Sequence, residues 1–494
     1  MDIFKRLHSS IQSRPKLGLA IIFAVGIIIR VIVATRDKFL HSWDERFHAL
    51  VAKNLIRHPL KPVLIENPLG SFNPDSWCCN SIWLHKQPLF MWQMALSMRL
   101  FGINEIGLRL PSILMGAVMI LLVYRIALLM TNSIKVALVS AMLMCFSHYQ
   151  IELISGAQGM DHNDVAFSFY VLISIWSYFE YVRNPKWYFA GLIGLFSGCA
   201  ILNKWLTGLL IFSVWGVVLL IELIRGKGRN ELLHFLLAIG TCVLVFLPWQ
   251  LYIFSHFPEQ ARFEFQFNSR HLTEVIEGHS GGLLFYIGNF REYFGGWAWL
   301  LLPVGVFCAV RSRLYNRFFV RAGLTYFLIV LLFFSVLVKT KIPTFCYVVA
   351  PFALVFIAIG LTALLKPFEN TRGIWALVVC FVCFLFLQPM ELINSRKTEE
   401  YLAATNNARV YRTLKQKLPA DCTIVLNANS FENIDVMFYN HSIRAAHWCP
   451  SEEDFAAITK DHPKVAVFKE RGSYGIPDYI KSYPNLYYIP DDIK

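Results

Sequence analysis

Long apolar runs, each closed by a short polar or basic stretch, recur along most of this sequence. They fall at about 17–35, 110–130, 134–150, 165–182, 187–203, 205–224, 231–254, 293–310, 319–338, 344–365 and 374–392. Each approaches the roughly 20 residues that a helix needs to cross about 30 Å of hydrocarbon. The pattern predicts about 11 transmembrane helices. The fifth and sixth runs are short and parted only at Lys204, so they read as a hairpin. The stretch from Pro88 to Phe101 is apolar on one side, short, and carries Gln93 and Arg99. It reads as an amphipathic helix lying in the outer membrane interface. A second helical run, Phe47–Ile56, precedes it in the same long loop.

The pattern changes near residue 396. Short strand-like runs, Thr423–Leu426 and Lys464–Phe468, alternate there with helix-like stretches such as Ala404–Leu418 and Ser451–Lys460. That alternation predicts a small α/β domain. The expected fold is thus an all-α polytopic membrane protein with amphipathic juxtamembrane helices in the first outer loop and a small C-terminal α/β domain. The expected division is 1–395 for the membrane domain and 396–494 for the soluble one.

Composition agrees with a membrane class: 56% of the 494 residues are hydrophobic and 16% charged, with a mean hydropathy of +0.49. A soluble chain of this length must show much more polar surface to water. The formal net charge of +13 raises the question of nucleic acid, but its distribution answers it. With the basic N-terminus (Lys5, Arg6, Arg14, Lys16) inside, alternate loops carry Arg125 and Lys135; Arg183 and Lys186; Arg225, Lys227 and Arg229; Arg311, Arg313, Arg317 and Arg321; Lys366 and Arg372. All five then face the cytoplasm, as the positive-inside rule requires. The first run is long for a signal core and is followed by no small-residue cleavage site, so it reads as a retained helix. The outer side receives the loop 36–108, the Gly156–Asp164 loop, the Ser255–Arg291 loop, the Lys339–Lys341 turn and the tail.

Polar residues that could carry chemistry concentrate in those outer segments. Asp44-Glu45 follows the first span, and a positioned carboxylate can act as a base toward an attacking hydroxyl. One such base without a second carboxylate as nucleophile implies direct displacement with inversion. Lys86, beside His85 and Gln87-Pro88, either snorkels at the lipid boundary or binds a phosphate leaving group. Arg30, inside the outer end of the first span, is a second cation with the same two readings. Asp161-His162-Asn163-Asp164 offers a helix cap at Asn163 or Asp164, a set of metal ligands or a grip on sugar hydroxyls. Lys204, Lys339 and Lys341 are further outer cations, and His256, His271 and His279 form a weak metal signal. The eleven cysteines lie mostly in apolar runs, where a thiol is a small hydrophobe; Cys78-Cys79 and the pair Cys422 and Cys449 are placed to form disulfides outside.

One ordered series goes further: Asp44-Glu45, His85-Lys86-Gln87-Pro88-Leu89-Phe90-x-Trp92, Leu100-Phe101-Gly102-x-Asn104-Glu105 and Arg109-Leu110-Pro111-Ser112. It resembles the C-type membrane glycosyltransferases, in particular the protein O-mannosyltransferases and lipid A aminoarabinose transferases. The resemblance implies a polyprenyl-phosphate-sugar donor drawn from the membrane lipids and a lipid, glycan or protein acceptor. It implies no cofactor and no required metal. It places Asp44 as the base, Lys86 on the lipid phosphate, and Asp164 or Asp161 as the second-loop acid. Lys341-Ile342-Pro343-Thr344 resembles the late lysine-proline motif, with Tyr347 near the usual tyrosine position. Glu45, Arg46, His85 and Lys204 complete the expected site. Departures are Gln87 for the first proline, Phe345 at the tyrosine position, and the spacing of Arg46. The implied location is a bacterial inner membrane with the site and C-terminus periplasmic. The rival classes are a polytopic transporter, which would place ionisable groups near the midplane, and a non-catalytic envelope-assembly protein.

Overall fold

The computed structural model describes residues 15–489, apart from 70–80, 160, 205–207, 227, 369–370, 372, 470–471 and 473. The chain divides into two compact units, each assembled from separated stretches: residues 1–34 with 111–393, and residues 35–110 with 394–494. The second unit therefore combines most of the first long loop with the tail, a grouping that a single boundary along the sequence does not express.

The first unit is helical. Among the described residues six helices are long and apolar enough to cross a membrane: Pro15–Arg36, Glu105–Thr131, His162–Arg183, Arg229–His256, Arg317–Leu337 and Ala350–Phe368. The number rises to eight if the bent pairs Ile134–Cys145 with His148–Ser155 and Leu377–Leu387 with Pro389–Lys397 each count as one span. Ile211–Ile224 and Gly296–Arg311 are shorter apolar helices and fall outside that number. Trp187–Lys204 ends on the polar Asn203 and Lys204, which lower its hydropathy. Every residue from Ala350 to Leu361 is buried, as expected for a helix apolar on all sides at the centre of a bundle. Glycines set two crossings. A side-chain carbon at Gly194 would overlap the carbonyl of Ala238, and one at Gly305 would overlap that of Phe356.

In the second unit a parallel sheet of four strands carries the tail: β1 (Ile424–Leu426), β2 (Arg444–Ala445), β3 (Val465–Phe468) and β4 (Leu486–Ile489), in the order β2-β1-β3-β4. β1 and β3 are buried on both faces, which is why they read as continuous apolar runs rather than alternating ones. Ile424, Leu426, Val465 and Val467 pack with Leu69, Phe455 and Ile480 in one core cluster. The helices Glu399–Lys417 and Glu452–Asp461 start at Thr398 and Ser451, whose hydroxyls accept from Tyr401 N and Asp454 N; such caps satisfy the free N–H groups of the first turn. Helix Asp44–Leu55 is buried at eleven of its twelve positions and packs against both Leu89–Phe101 and Asn433–Tyr439. Leu89–Phe101 has 13 residues, about 20 Å of rise and too short to span. Cys422 and Cys449 are free thiols, so the disulfide expected of them is absent; Cys78 and Cys79 lie outside the described residues.

Candidate active site

Asp44 is the first residue of helix Asp44–Leu55. Just before it, Trp43 holds φ at 66°, a region costing a bulky residue about 1–3 kcal/mol and found where the surrounding structure dictates the turn. Its ring lies 5.3 Å from that of Phe431. The turn leaves the Asp44 side chain 29% exposed, with Lys86 Nζ 3.6 Å from its Oδ1. His48 Nε2 lies 3.8 Å from the same oxygen. A carboxylate in the first turn also sits at the positive end of the helix dipole. Asp44 and Lys86, forty-two positions apart in sequence, are thus adjacent.

Glu45, its neighbour, has a different role. Its buried carboxylate receives Arg109 Nε at 2.6 Å and Nη2 at 2.9 Å, and the backbone N–H of His41 at 2.7 Å. Arg109 also donates to the carbonyls of Asp37 at 2.6 Å and Phe39 at 2.7 Å. The pair therefore fixes the loop 37–45 that presents Asp44. Asp37 is held in turn by Arg396 Nε and Nη2, at 2.9 and 2.8 Å, and by the Tyr401 hydroxyl at 3.1 Å. Burial raises the Asp37 carboxyl, but hydrogen bonds from His41 and Arg396 outweigh it and hold the group below the usual carboxylate range.

Arg46, expected in the site, meets the acids of the tail segment. Its Nε lies 2.5 Å from Asp435 Oδ2, with Glu432 at 3.9 Å and the Ser430 carbonyl at 3.3 Å. It fastens the Asp44–Leu55 helix to the tail segment. Burial pushes the Asp435 carboxyl up to about 7, against the Arg46 guanidinium and with the charge of Glu432 adding to the rise. His85 is buried, its ring 5.7 Å from that of Trp83.

The other unit holds the second set. Asp164 is ion-paired with Lys204, whose ammonium lies 5.2 Å from the Phe345 ring centre and 5.8 Å from that of Phe167. His162 Nδ1 lies 2.8 Å from Ser112 Oγ. In the same unit some buried polar atoms have no hydrogen-bond partner among the described residues: both atoms of the Asn163 amide, Asn203 Oδ1 and Thr344 Oγ1. The helix begins at Asp161, so Asn163 and Asp164 stand inside its first turn rather than at the cap; the Asp161 side chain lies outside what is described.

Lys341, Arg30 and Tyr347 each meet partners of their own. Lys341 directs its ammonium to the carbonyls of Phe334, Ser335 and Val338 at 2.6, 2.8 and 2.5 Å. It closes the end of the Arg317–Leu337 helix, where unpaired carbonyls attract a cation. Arg30 does the same for Met144 O and Cys145 O, at 3.0 and 3.1 Å, and meets Gln150 Oε1 at 2.5 Å. No group of three or more His, Cys, Asp or Glu side chains that could hold a metal occurs among the described residues. Tyr347 is buried, its hydroxyl 3.1 Å from Ser147 Oγ and its ring 4.6 Å from Tyr149. Sequence reasoning missed Asp37 and Arg396, which lie 359 positions apart. Arg109 stood in a quoted motif without a role.

Residues 85–252 match the family described as dolichyl-phosphate-mannose-protein mannosyltransferase. An uncharacterized protein of Aquifex aeolicus is 26% identical over 304 residues, 61% of this chain and 56% of that protein. An undecaprenyl phosphate-alpha-4-amino-4-deoxy-L-arabinose arabinosyl transferase of Pseudomonas fluorescens is 28% identical over 264 residues, 51% of this chain and 44% of that protein. The chain thus spans about half the length of the curated relatives it matches. Among solved structures, ArnT from Cupriavidus metallidurans bound to undecaprenyl phosphate aligns with a TM-score of 0.63 at 16% identity, covering 94% of this chain and 90% of that one. The oligosaccharyltransferase AglB of Archaeoglobus fulgidus aligns with a TM-score of 0.53 at 12% identity, over 87% and 64%. The chain is thus similar in sequence to the mannosyltransferase family model and to the arabinosyl transferase, and similar in fold to ArnT and AglB.

Proposed function

We propose that the chain is an integral membrane glycosyltransferase that moves a sugar from a polyprenyl monophosphate donor to an acceptor hydroxyl. The observation that carries this reading is the Asp44–Lys86 pair, a part-exposed carboxylate with an ammonium 3.6 Å away. The names of the relatives support it: one is an arabinosyl transferase of an undecaprenyl phosphate sugar, and one solved neighbour holds undecaprenyl phosphate.

In this reading the acceptor oxygen attacks the anomeric carbon as the bond from that carbon to the phosphate oxygen breaks. Asp44 takes the hydroxyl proton, and the electron pair stays on the lipid phosphate, where Lys86 stabilises it. With one carboxylate at the reacting carbon and no covalent intermediate, the anomeric centre inverts. Glu45 positions Asp44 through the loop it holds. Asp164, with Asp161 near it in sequence, and Lys204 bind sugar or acceptor groups. The five basic loops lie in the cytoplasm of a bacterial inner membrane, the C-terminus is periplasmic, and the short apolar helices complete about eleven spans. The acceptor is a lipid such as lipid A, a glycan, or a protein hydroxyl.

Protein in membranes, supplied with a labelled polyprenyl-phosphate sugar, should move label into one of these three acceptor fractions. Label that stays on the donor with every acceptor would reject the transferase reading and leave the transporter or assembly protein.

A further inference from the structure

A cavity of about 260 Å³ lies along the second half of helix Asp44–Leu55, and neither Asp44 nor Lys86 lines it. Its charged lining is one-sided. Lys53, Arg57 and Arg444 contribute three cations and His441 an imidazole, while Glu66 is the single acid among the described lining residues. Lys415 stands close by, bonded to Ser442 at 2.5 Å.

Two of the three cations, Lys53 and Arg444, are held in place by hydrogen bonds. Lys53 is buried and donates to the carbonyls of Met437 and Phe438 at 2.5 and 2.8 Å; its third N–H has no partner among the described residues. Arg444 is braced by the Asn67 carbonyl at 2.9 Å and by His462 Nε2 at 3.1 Å. Arg57 is exposed and has no side-chain partner among the described residues. Gathering like charges around one concavity is unfavourable unless something of opposite charge offsets them. The titrating groups register that field. Burial and then the Arg57 charge push Lys53 down to about 8. Burial, then Lys53, Arg57 and Lys415, push His441 below its ordinary value.

We propose that this cavity binds a phosphate-bearing ligand, with Lys53, Arg57 and Arg444 as its cationic wall and His441 at its mouth. Two fixed cations and the exposed Arg57 lining one space suit a tetrahedral anion with several acceptor oxygens. The volume admits a phosphorylated head group and little more. A soluble phosphate ester and the phosphate of a lipid head group present the same chemistry.

The test uses the full-length protein in phosphatidylcholine nanodiscs, titrated with inorganic phosphate and, separately, with glucose as a neutral control. Calorimetry in buffers of different ionisation enthalpy then reads both affinity and proton uptake. Phosphate should bind and glucose should not. Binding near pH 7 should take up protons, because a neighbouring dianion raises the His441 pKa. Arg57→Gln, at an exposed position, should fold normally and bind phosphate roughly tenfold more weakly. His441→Gln should lower the proton uptake. Nanodiscs containing phosphatidic acid separate the sources: competition with free phosphate, relieved in Arg57→Gln, assigns the site to a lipid head group, and its absence assigns it to a soluble ester. No phosphate binding in either preparation, or equal affinity and equal proton uptake in wild type and both variants, overturns the proposal. No turnover is measured, so this result is independent of the glycosyl-transfer reading.

Discussion

Two adjacent carboxylates divide the labour of the first-loop motif. Asp44 is part-exposed beside Lys86, whereas Glu45 is sealed against Arg109. Asp44→Asn keeps the size and loses the base. It should slow transfer by about 10²–10⁴-fold without lowering the thermal midpoint, and Lys86→Ala should likewise fold and use donor poorly. Rates close to wild type in both would remove the pair from the chemistry. Glu45→Ala strands the buried Arg109 charge, a loss of about 3–5 kcal/mol, so its first effect should be a lower unfolding midpoint. Asp435 gives a prediction in pH. The folded chain keeps that proton up to about pH 7, whereas the unfolded chain releases it near the ordinary value of about 4. Between those values the folded state binds more protons, so this group's contribution to stability falls as pH rises and levels off above the folded value. Asp435→Asn should flatten that part of a stability-against-pH curve. An unchanged slope would place the titration elsewhere.

Pairs of helices in the membrane unit meet where side chains are absent. Helix Trp187–Lys204 crosses Arg229–His256 at Gly194 and Gly198, whose added carbons would meet the carbonyls of Ala238 and Cys242. Small residues spaced four apart allow such close approach within a membrane. The obstruction is backbone, which cannot swing aside as a side chain does. Gly194→Val should therefore cost at the upper end of the roughly 1–3 kcal/mol typical of overpacking. It should lower the yield of folded protein in detergent, whereas Gly191→Ala, which meets nothing nearby, should not. Equal yields would mean that the crossing is looser than its backbone distances indicate. Lys341 is a lesson at the same scale. In sequence it is a cation beside a proline; in the fold it is a plug for the open carbonyls at a helix end.

At the scale of the whole chain, the proposed orientation rests on charge. Five basic stretches carry the proposed orientation, in which a cytoplasmic N-terminus and the proposed eleven spans put the C-terminus outside. A reporter active only in the periplasm, fused after Lys494, should be active; activity of a cytoplasm-only reporter at the same point would invert the proposed placement of every outer residue. The two compact units are also built from separated stretches, so neither can be expressed by a single cut in the chain. The helix Asp44–Leu55 packs on Asn433–Tyr439, and Arg46 meets Asp435 across nearly four hundred positions.

The sequence by itself determined the membrane class, the helical character of the apolar runs, and the β1 and β3 strands, because each is written in local periodicity and burial. It also marked Asp44 and Lys86, since motif residues keep their order along the chain. Only the tertiary structure decided which partner each charged residue meets. Glu45, Arg46, Lys341 and Arg30 look alike in sequence, and each is drawn to its own partner, which for Glu45, Arg46 and Arg30 lies far along the chain. Desolvation makes an unpaired buried charge so costly that the fold must answer it with an opposite charge or a carbonyl. Periodicity reports which face of an element is buried; it carries no information about which distant group will meet a charge there.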